Sequence, residues 1–313
     1  MDDITTFGET MLRFSPQQGE RLETAETLAF RTAGAESNVA TAASRLGADT
    51  KWISKVPETP LGRRVARDLR RHGVTPAISW SNEGRQGTYY IEQGGDPRGT
   101  NVIYDRENTA IATAELSDVP INEIESSAVF FTTGITPALS ETLYQTTEEL
   151  LGLDTTTAFD LNYRSKLWSP SEAKTAYENL LPMVDHLFIP ERDARSVLNI
   201  NGESKAIATK LRARFNCKTV VMTQGADGAL ASTPEGVHQQ PPFETETVDP
   251  IGTGDAFVGG FLAQYVRSES VSRSLEWGAA TAALKRTIKG DLAVVTESEV
   301  KSVIDNKETT INR

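Results

Sequence analysis

The chain predicts an α/β fold: three α/β/α layers on a mainly parallel central sheet, with a small β-sheet lid beside it. Three observations carry this. Short apolar, β-branched runs alternate with helical patterns along most of the 313 residues, the pattern of βαβ units. Two stretches break that alternation with strand-like pieces and no helix between them. Late in the chain, a glycine-rich segment opens a helix, where free backbone N–H groups gather.

The expected central strands are residues 4–7, 50–55, 128–132, 157–161, 186–189 and 219–223. Helical stretches at 37–46, 61–72, 139–151, 170–181, 206–215 and 274–288 lie between or after them. The first interruption, residues 11–33, contains MLRFSP and TLAFRTAG; the second, 88–105, contains TYYIEQ and TNVIYD joined by GGDPRG. These four pieces, taken as antiparallel, cannot be buried within a doubly wound sheet. A separate small sheet follows, serving as a lid, an edge extension or a dimer contact. One domain over residues 1–313 is expected, with the lid strands inserted at about 11–33 and 88–105 and a frayed tail at 307–313.

Composition narrows the function. A net charge of −11 argues against nucleic acid as a partner, because phosphate backbones need a basic surface. The single cysteine, Cys217, excludes an intrachain disulfide framework and fits a reducing cytosol. No apolar run approaches the roughly 20 residues of a membrane helix, and the start lacks an export signal. A cytoplasmic protein without a membrane partner is expected.

The chemistry concentrates in DPIGTGDAF, Asp249 to Phe257. Gly252, Thr253 and Gly254 bring backbone N–H groups to a helix start, an anion site strengthened by the helix dipole. An acidic side chain there is repulsive unless it has a task. Asp255 suits a general base that takes a hydroxyl proton while the N–H groups hold a transferring phosphoryl group. A simple helix cap is the alternative.

Four further segments follow the same logic. In AGAESNVATAASRLGA, Gly34 breaks the lid strand and the Asn38 amide can donate to and accept from a sugar hydroxyl. In VVMTQGADG, a strand ends in a glycine-bracketed turn at Thr223, Gly225 and Gly228, the sheet edge where ligands bind. In FDLNYRSKLW, Asp160, Asn162 and Arg164 alternate beyond a strand end and point the same way. In IPERD, Glu191 and Asp193 stand just past another strand. The chain lacks G-x-x-x-x-G-K-[ST], a G-x-G-x-x-G after its first strand, metal-spaced histidines and a G-x-S-x-G elbow.

These segments, in this order, resemble the PfkB (ribokinase-like) carbohydrate kinases. DPIGTGD matches the family's D-x-x-G-A-G-D with Thr253 for alanine, and the glycine opening, Asn38 and LGA match its N-terminal motif. VPETPLG stands where G-x-D-x-x-G is usual, and only Gly62 matches. FDLNYRSKLW, with GETMLRFSP and AGAESN, is similar to the 2-keto-3-deoxygluconate kinases within the family.

The resemblance implies a ribokinase-like fold, ATP and Mg²⁺. It implies Asn162, Thr223, Gly225 and Gly228 near ATP, with Arg164 near the phosphoryl path or a substrate carboxylate. Tyr104 and Arg106, joined by Tyr89 or Tyr90, would cover the substrate with Gly34, Asn38 and Asp291. Family members often carry N-x-x-E where Pro190 to Asp193 stand, so Glu191 and Asp193 would reach Mg²⁺ through water. Two arginines on one pocket suit a carboxylate. The implied reaction phosphorylates the terminal hydroxyl of 2-keto-3-deoxy-D-gluconate. A kinase for a neutral sugar, or a non-catalytic sugar- or nucleotide-binding protein, are the alternatives. The lid sheet would pair in a homo-oligomer.

Overall fold

A computed structural model describes residues 2–94, 97–268 and 270–305. The tail expected to fray, 307–313, and part of the GGDPRG turn lie outside the described residues. In chain order the strands are β1 (Ile4–Phe7), β2 (Met11–Ser15), β3 (Ala29–Ala33), β4 (Thr50–Pro57), β5 (Thr75–Ser81), β6 (Thr88–Gln93) and β7 (Thr100–Asp105). They continue as β8 (Val129–Thr133), β9 (Thr157–Asp160), β10 (His186–Pro190), β11 (Thr219–Thr223), β12 (Ala229–Thr233) and β13 (Gly236–Gln240). The helices are α1 (Ala35–Arg45), α2 (Pro60–Arg71), α3 (Ile121–Glu125), α4 (Glu141–Leu151) and α5 (Pro170–Leu180). After these come α6 (Glu191–Ser196), α7 (Ser204–Phe215), α8 (Thr253–Ser268), α9 (Val271–Arg286) and α10 (Glu297–Ile304).

The central sheet runs β13-β12-β11-β10-β9-β8-β1-β4-β5, parallel from β11 to β5 and antiparallel at β12 and β13. Successive residues of its strands feed opposite layers. Phe130, Phe159, Leu187 and Val220 join the core under α4, α5 and α7, while Phe131, Ala158, Phe188 and Val221 join the core under α1, α8 and α9. The α/β/α expectation therefore holds. Several elements were not foreseen, among them β5, β12, β13, α3, α6 and α10. β5 is half-buried, carries Pro76 and pairs only with β4, as befits an edge strand. α10 is a short helix opened by a Thr296–Glu299 capping box.

The lid is a separate four-stranded sheet in the order β3-β2-β6-β7. One detail corrects the antiparallel expectation: β2 and β6 pair in parallel, and only the flanking hairpins β2–β3 and β6–β7 are antiparallel. The reason is where they start. β2 follows β1 and β6 follows β5, two parallel strands, so both leave the same edge of the central sheet in the same direction.

Helix α8 approaches its neighbours closely because it carries Gly259 and Gly260. A Cβ on Gly259 would come 2.5 Å from the Ala42 methyl on α1, and one on Gly260 would come 2.4 Å from Thr281 Oγ1 on α9. This wedge fixes the start of α8 against the carboxyl edge of the sheet.

Candidate active site

The turn before α8 is held by one carboxylate. Asp249 accepts from the Ile251 N–H at 3.1 Å, the Gly290 N–H at 2.9 Å and Gln93 Nε2 of the lid at 2.9 Å. Gly252 follows with φ 78°, the left-handed region that favours glycine, and a Cβ there would lie 2.0 Å from the Asp291 carbonyl oxygen. Gly254, by contrast, faces open space. Beneath the turn lies the fully buried Lys285, whose Nζ donates to the carbonyls of Asp249 at 2.8 Å and Ile288 at 3.3 Å. Burial lowers its pKa, and the charges of Asp249, Asp291 and Asp255 oppose that.

In the first turn of α8, the Asp255 carboxylate accepts from Asn38 Nδ2 of α1 at 2.7 Å. Burial pushes its pKa up to about 6, and the Asn38 hydrogen bond and the Arg164 charge hold it back. Two more buried carboxyls stand close by. Asp160, at the end of β9, and Glu36, in α1, are each pushed up to about 7 by burial. Asp160 holds Asn162 through its N–H and Nδ2, both at 3.1 Å, and Asn162 takes the left-handed φ of 41°. Glu36 Oε1 accepts from Thr133 and Thr136 at 2.6 and 2.8 Å.

Two cavities meet at this helix start. One, of 450 Å³, lies under the lid and is lined by Gly34, Asn38, Tyr89, Tyr104, Arg106, Arg164, Gly252, Asp255 and Asp291 among others. The other, of 670 Å³, lies at the carboxyl ends of β10 and β11, with Glu191, Thr223, Gly225, Gly228, Phe257 and Arg286 in its wall. Arg192, Thr253 and Gly254 line both. A helix N-terminus open to two cavities can hold an anion passing between them.

Most of the predicted site residues divide between the two cavities. Those expected around a sugar line the first cavity, and Thr223, Gly225 and Gly228 line the second. Asn162 is buried on Asp160 and lines neither cavity. Glu191 rims the second cavity but is bonded to Arg195, Ser204 and Gln224. Asp193 is buried against Arg192, with Oδ2 unpartnered.

Sequence reasoning missed several participants. Arg13, which shares a lid face with Met11, donates to Asp291 at 2.7 Å, and Tyr89 donates to the same carboxylate at 2.9 Å. Glu9 pairs with Arg106. Lys285 carried a signal, as a lone charge on the alanine-rich face of GAATAALK. Glu36 and Glu9 carried none beyond lying within the quoted motifs.

The pfkB family carbohydrate kinase description matches residues 1–297. The chain belongs to the pfkB family of carbohydrate kinases. A 2-dehydro-3-deoxygalactonokinase of Haloferax volcanii is 57% identical over 315 residues, covering 99% of each chain. A 2-dehydro-3-deoxygluconokinase of Bacillus subtilis is 28% identical, covering 98% of this chain and 97% of that one. The crystal structure of a 2-dehydro-3-deoxygluconokinase from Thermotoga maritima superposes with a TM-score of 0.91 at 30% identity, over 97% of this chain and 98% of that chain. The family fold of a large, mostly parallel sheet with a smaller sheet is the one described above. Among the described residues, no helix is long and apolar enough to cross a membrane.

Proposed function

We propose that this family member moves the γ-phosphoryl group of ATP to the terminal primary hydroxyl of a 2-keto-3-deoxy sugar acid. The observation that carries the reading is the position of Asp255, at the helix start where the two cavities join. In this scheme ATP lies in the 670 Å³ cavity and the sugar acid in the 450 Å³ cavity. The hydroxyl oxygen forms the new P–O bond as the bond to ADP breaks, and Asp255 takes the hydroxyl proton. Asn38 occupies one carboxylate oxygen of Asp255, which leaves the other for that proton. A base with a pKa of about 6 is ionised at neutral pH yet basic enough to be useful.

The N–H groups of Gly252 and Gly254 hold the charge on the moving group, while that of Thr253 donates to the Pro250 carbonyl at 3.3 Å. Arg106 and Arg164 hold the carboxylate, Gly34 and Asn38 place the polyol, and Tyr89, Tyr104 and Asp291 complete the pocket. When bound, Mg²⁺ would offset the charge of the phosphates. Among the described residues no group of three His, Cys, Asp or Glu side chains could cage a metal. A magnesium ion that keeps its waters and takes phosphate ligands needs none, and the rim carboxylate Glu191 and the unpartnered Asp193 Oδ2 suit contact through water.

The motifs resemble those of 2-keto-3-deoxygluconate kinases, while their spacing does not read the C4 hydroxyl. The Haloferax relative, named for the galactonate epimer, favours that substrate as a second reading. ADP release with Mg²⁺-ATP against both epimers, fructose, ribose and adenosine tests both. Turnover of a neutral sugar alone would discard the carboxylate clamp and keep Asp255. ATP binding without turnover on any of them would favour a binding role instead. The reading also includes a homo-oligomer paired through the lid, whose outer strand β7 leaves Ile103 exposed. Light scattering at working concentration measures it.

A further inference from the structure

The dipeptide Gly8-Glu9, just past the end of β1, has no role in the scheme so far. Its placement gives it one. Glu9 is buried, and its backbone carbonyl lies where a Cβ on Gly34 would come within 2.2 Å, so it abuts the start of the segment that carries Asn38. Its side chain enters the sugar-side cavity and pairs with the Arg106 guanidinium. Space for that carboxylate depends on Gly87, where a Cβ would lie 2.7 Å from Glu9 Oε1. Gly8 makes comparable room for the Glu36 carboxylate, 2.5 Å from a Cβ built there.

The pairing leaves part of the guanidinium free. A guanidinium has five N–H donors in a rigid fork. Glu9 accepts from Nη2, while Nε and Nη1 have no protein partner among the described residues, and Nε is buried. A buried donor without a partner is costly and calls for an acceptor. Arg106 also comes just after the lid strand β7, at a groove it shares with Tyr104 and Lys166. A long side chain there could turn outward unless something held it.

We infer that Glu9 is a positioning residue for the acid clamp. Its carboxylate anchors Nη2 of the Arg106 fork and leaves the remaining N–H donors, Nε among them, turned to the carboxylate of the sugar acid. Glu9 therefore acts through Arg106. The inference rests on the sugar-acid reading of the preceding subsection.

A double-mutant cycle tests it, with KM for the better 2-keto-3-deoxy acid, KM for ATP and kcat measured on the full chain. Glu9→Ala is expected to raise the acid KM about tenfold or more, the size of one charged hydrogen-bonding arrangement, with kcat and the ATP KM nearly unchanged. Glu9→Gln, whose amide oxygen still accepts from Nη2, is expected to recover most of that loss. In an Arg106→Ala background, neither Glu9 change should raise the acid KM by more than about twofold. Additive losses in that background, or an acid KM that falls when Glu9 is removed, would overturn the inference. If Glu9→Ala does not fold, Glu9→Met, which fills the space but cannot accept from Nη2, supplies the same cycle in the two backgrounds. An Arg106→Ala enzyme with unchanged acid KM would sink the sugar-acid reading itself. A raised KM for Arg106→Ala with none for Glu9→Ala would sink only the role of Glu9.

Discussion

Asn38 donates its side-chain amide to the Asp255 carboxylate at 2.7 Å, across a sequence separation of 217 residues. The bond joins the first helix of the chain to the helix that carries the proposed base. Burial raises the Asp255 pKa to about 6, and this bond holds it back by favouring the ionised form.

Asp255→Asn is expected to lower kcat by about 10²–10⁴, the usual contribution of a positioned base. ATP affinity should change little, since the N–H groups at the helix start remain. Steady-state kinetics with ATP binding by calorimetry check this. A loss below tenfold would assign Asp255 to the cap instead.

The acidic limb of kcat/KM should fall near pH 6, because the base acts ionised and protonates below its pKa of about 6. Asn38→Ala removes a contact that lowers that pKa. Its limb should therefore move to higher pH. A pH–rate profile of the two proteins reads the shift directly, and an unmoved limb would place the titration elsewhere.

Glu36 gives a stability signature. Its pKa is about 7 in the fold, against about 4.3 in an unfolded chain. The folded state thus binds the extra proton between these values. The associated stability is fully present below about pH 4 and is lost as pH rises through 7. Glu36→Gln lacks this dependence, so the variant should gain on the wild type between pH 5 and pH 8. Urea midpoints at the two pH values measure it.

Lys285→Met should destabilise the protein by roughly 3–5 kcal/mol, the cost of removing one partner from a buried charge cluster. It strips the carbonyls of Asp249 and Ile288 of their donor and leaves Asp249 and Asp291 facing Arg13 alone. Chemical denaturation checks the stability. The turn before α8 should loosen as well, so kcat should fall in the fraction that folds.

Gly252 and Gly254 should separate stability from activity. Gly252→Ala must adopt φ 78° and place a methyl 2.0 Å from the Asp291 carbonyl oxygen, a loss of more than about 1 kcal/mol. Gly254→Ala meets nothing within 4 Å and sits in a helical first turn. It should fold normally yet raise the ATP KM, because its methyl enters the mouth shared by both cavities. Thermal melts beside kinetics distinguish the two.

Much of this was legible in the chain. The alternation of strands and helices, the lid insertions and the DPIGTGDAF helix start all rest on local periodicity and local turn chemistry, which a sequence displays. β5 was hidden because an edge strand is only half-buried and carries Pro76, so its pattern is weak. The parallel pairing of β2 with β6 was hidden because pairing direction depends on how β1 and β5 leave the central sheet, not on the strands themselves.

The sequence by itself determined which residue types stand at each strand end, and hence the family and the candidates for the base and the anion site. Tertiary structure alone decided how the charges are shared. Arg13 and Asp291 are 278 residues apart and Arg106 and Glu9 are 97 apart, yet the first pair is buried together and the second meets in the wall of the sugar-side cavity. Spacing could not show that Arg106 is already half engaged, or that Asp291 is covered by Arg13 and Tyr89. Charge partnership is fixed by proximity in a low-dielectric interior, and that proximity exists only after the lid and the carboxyl edge of the sheet have been brought together.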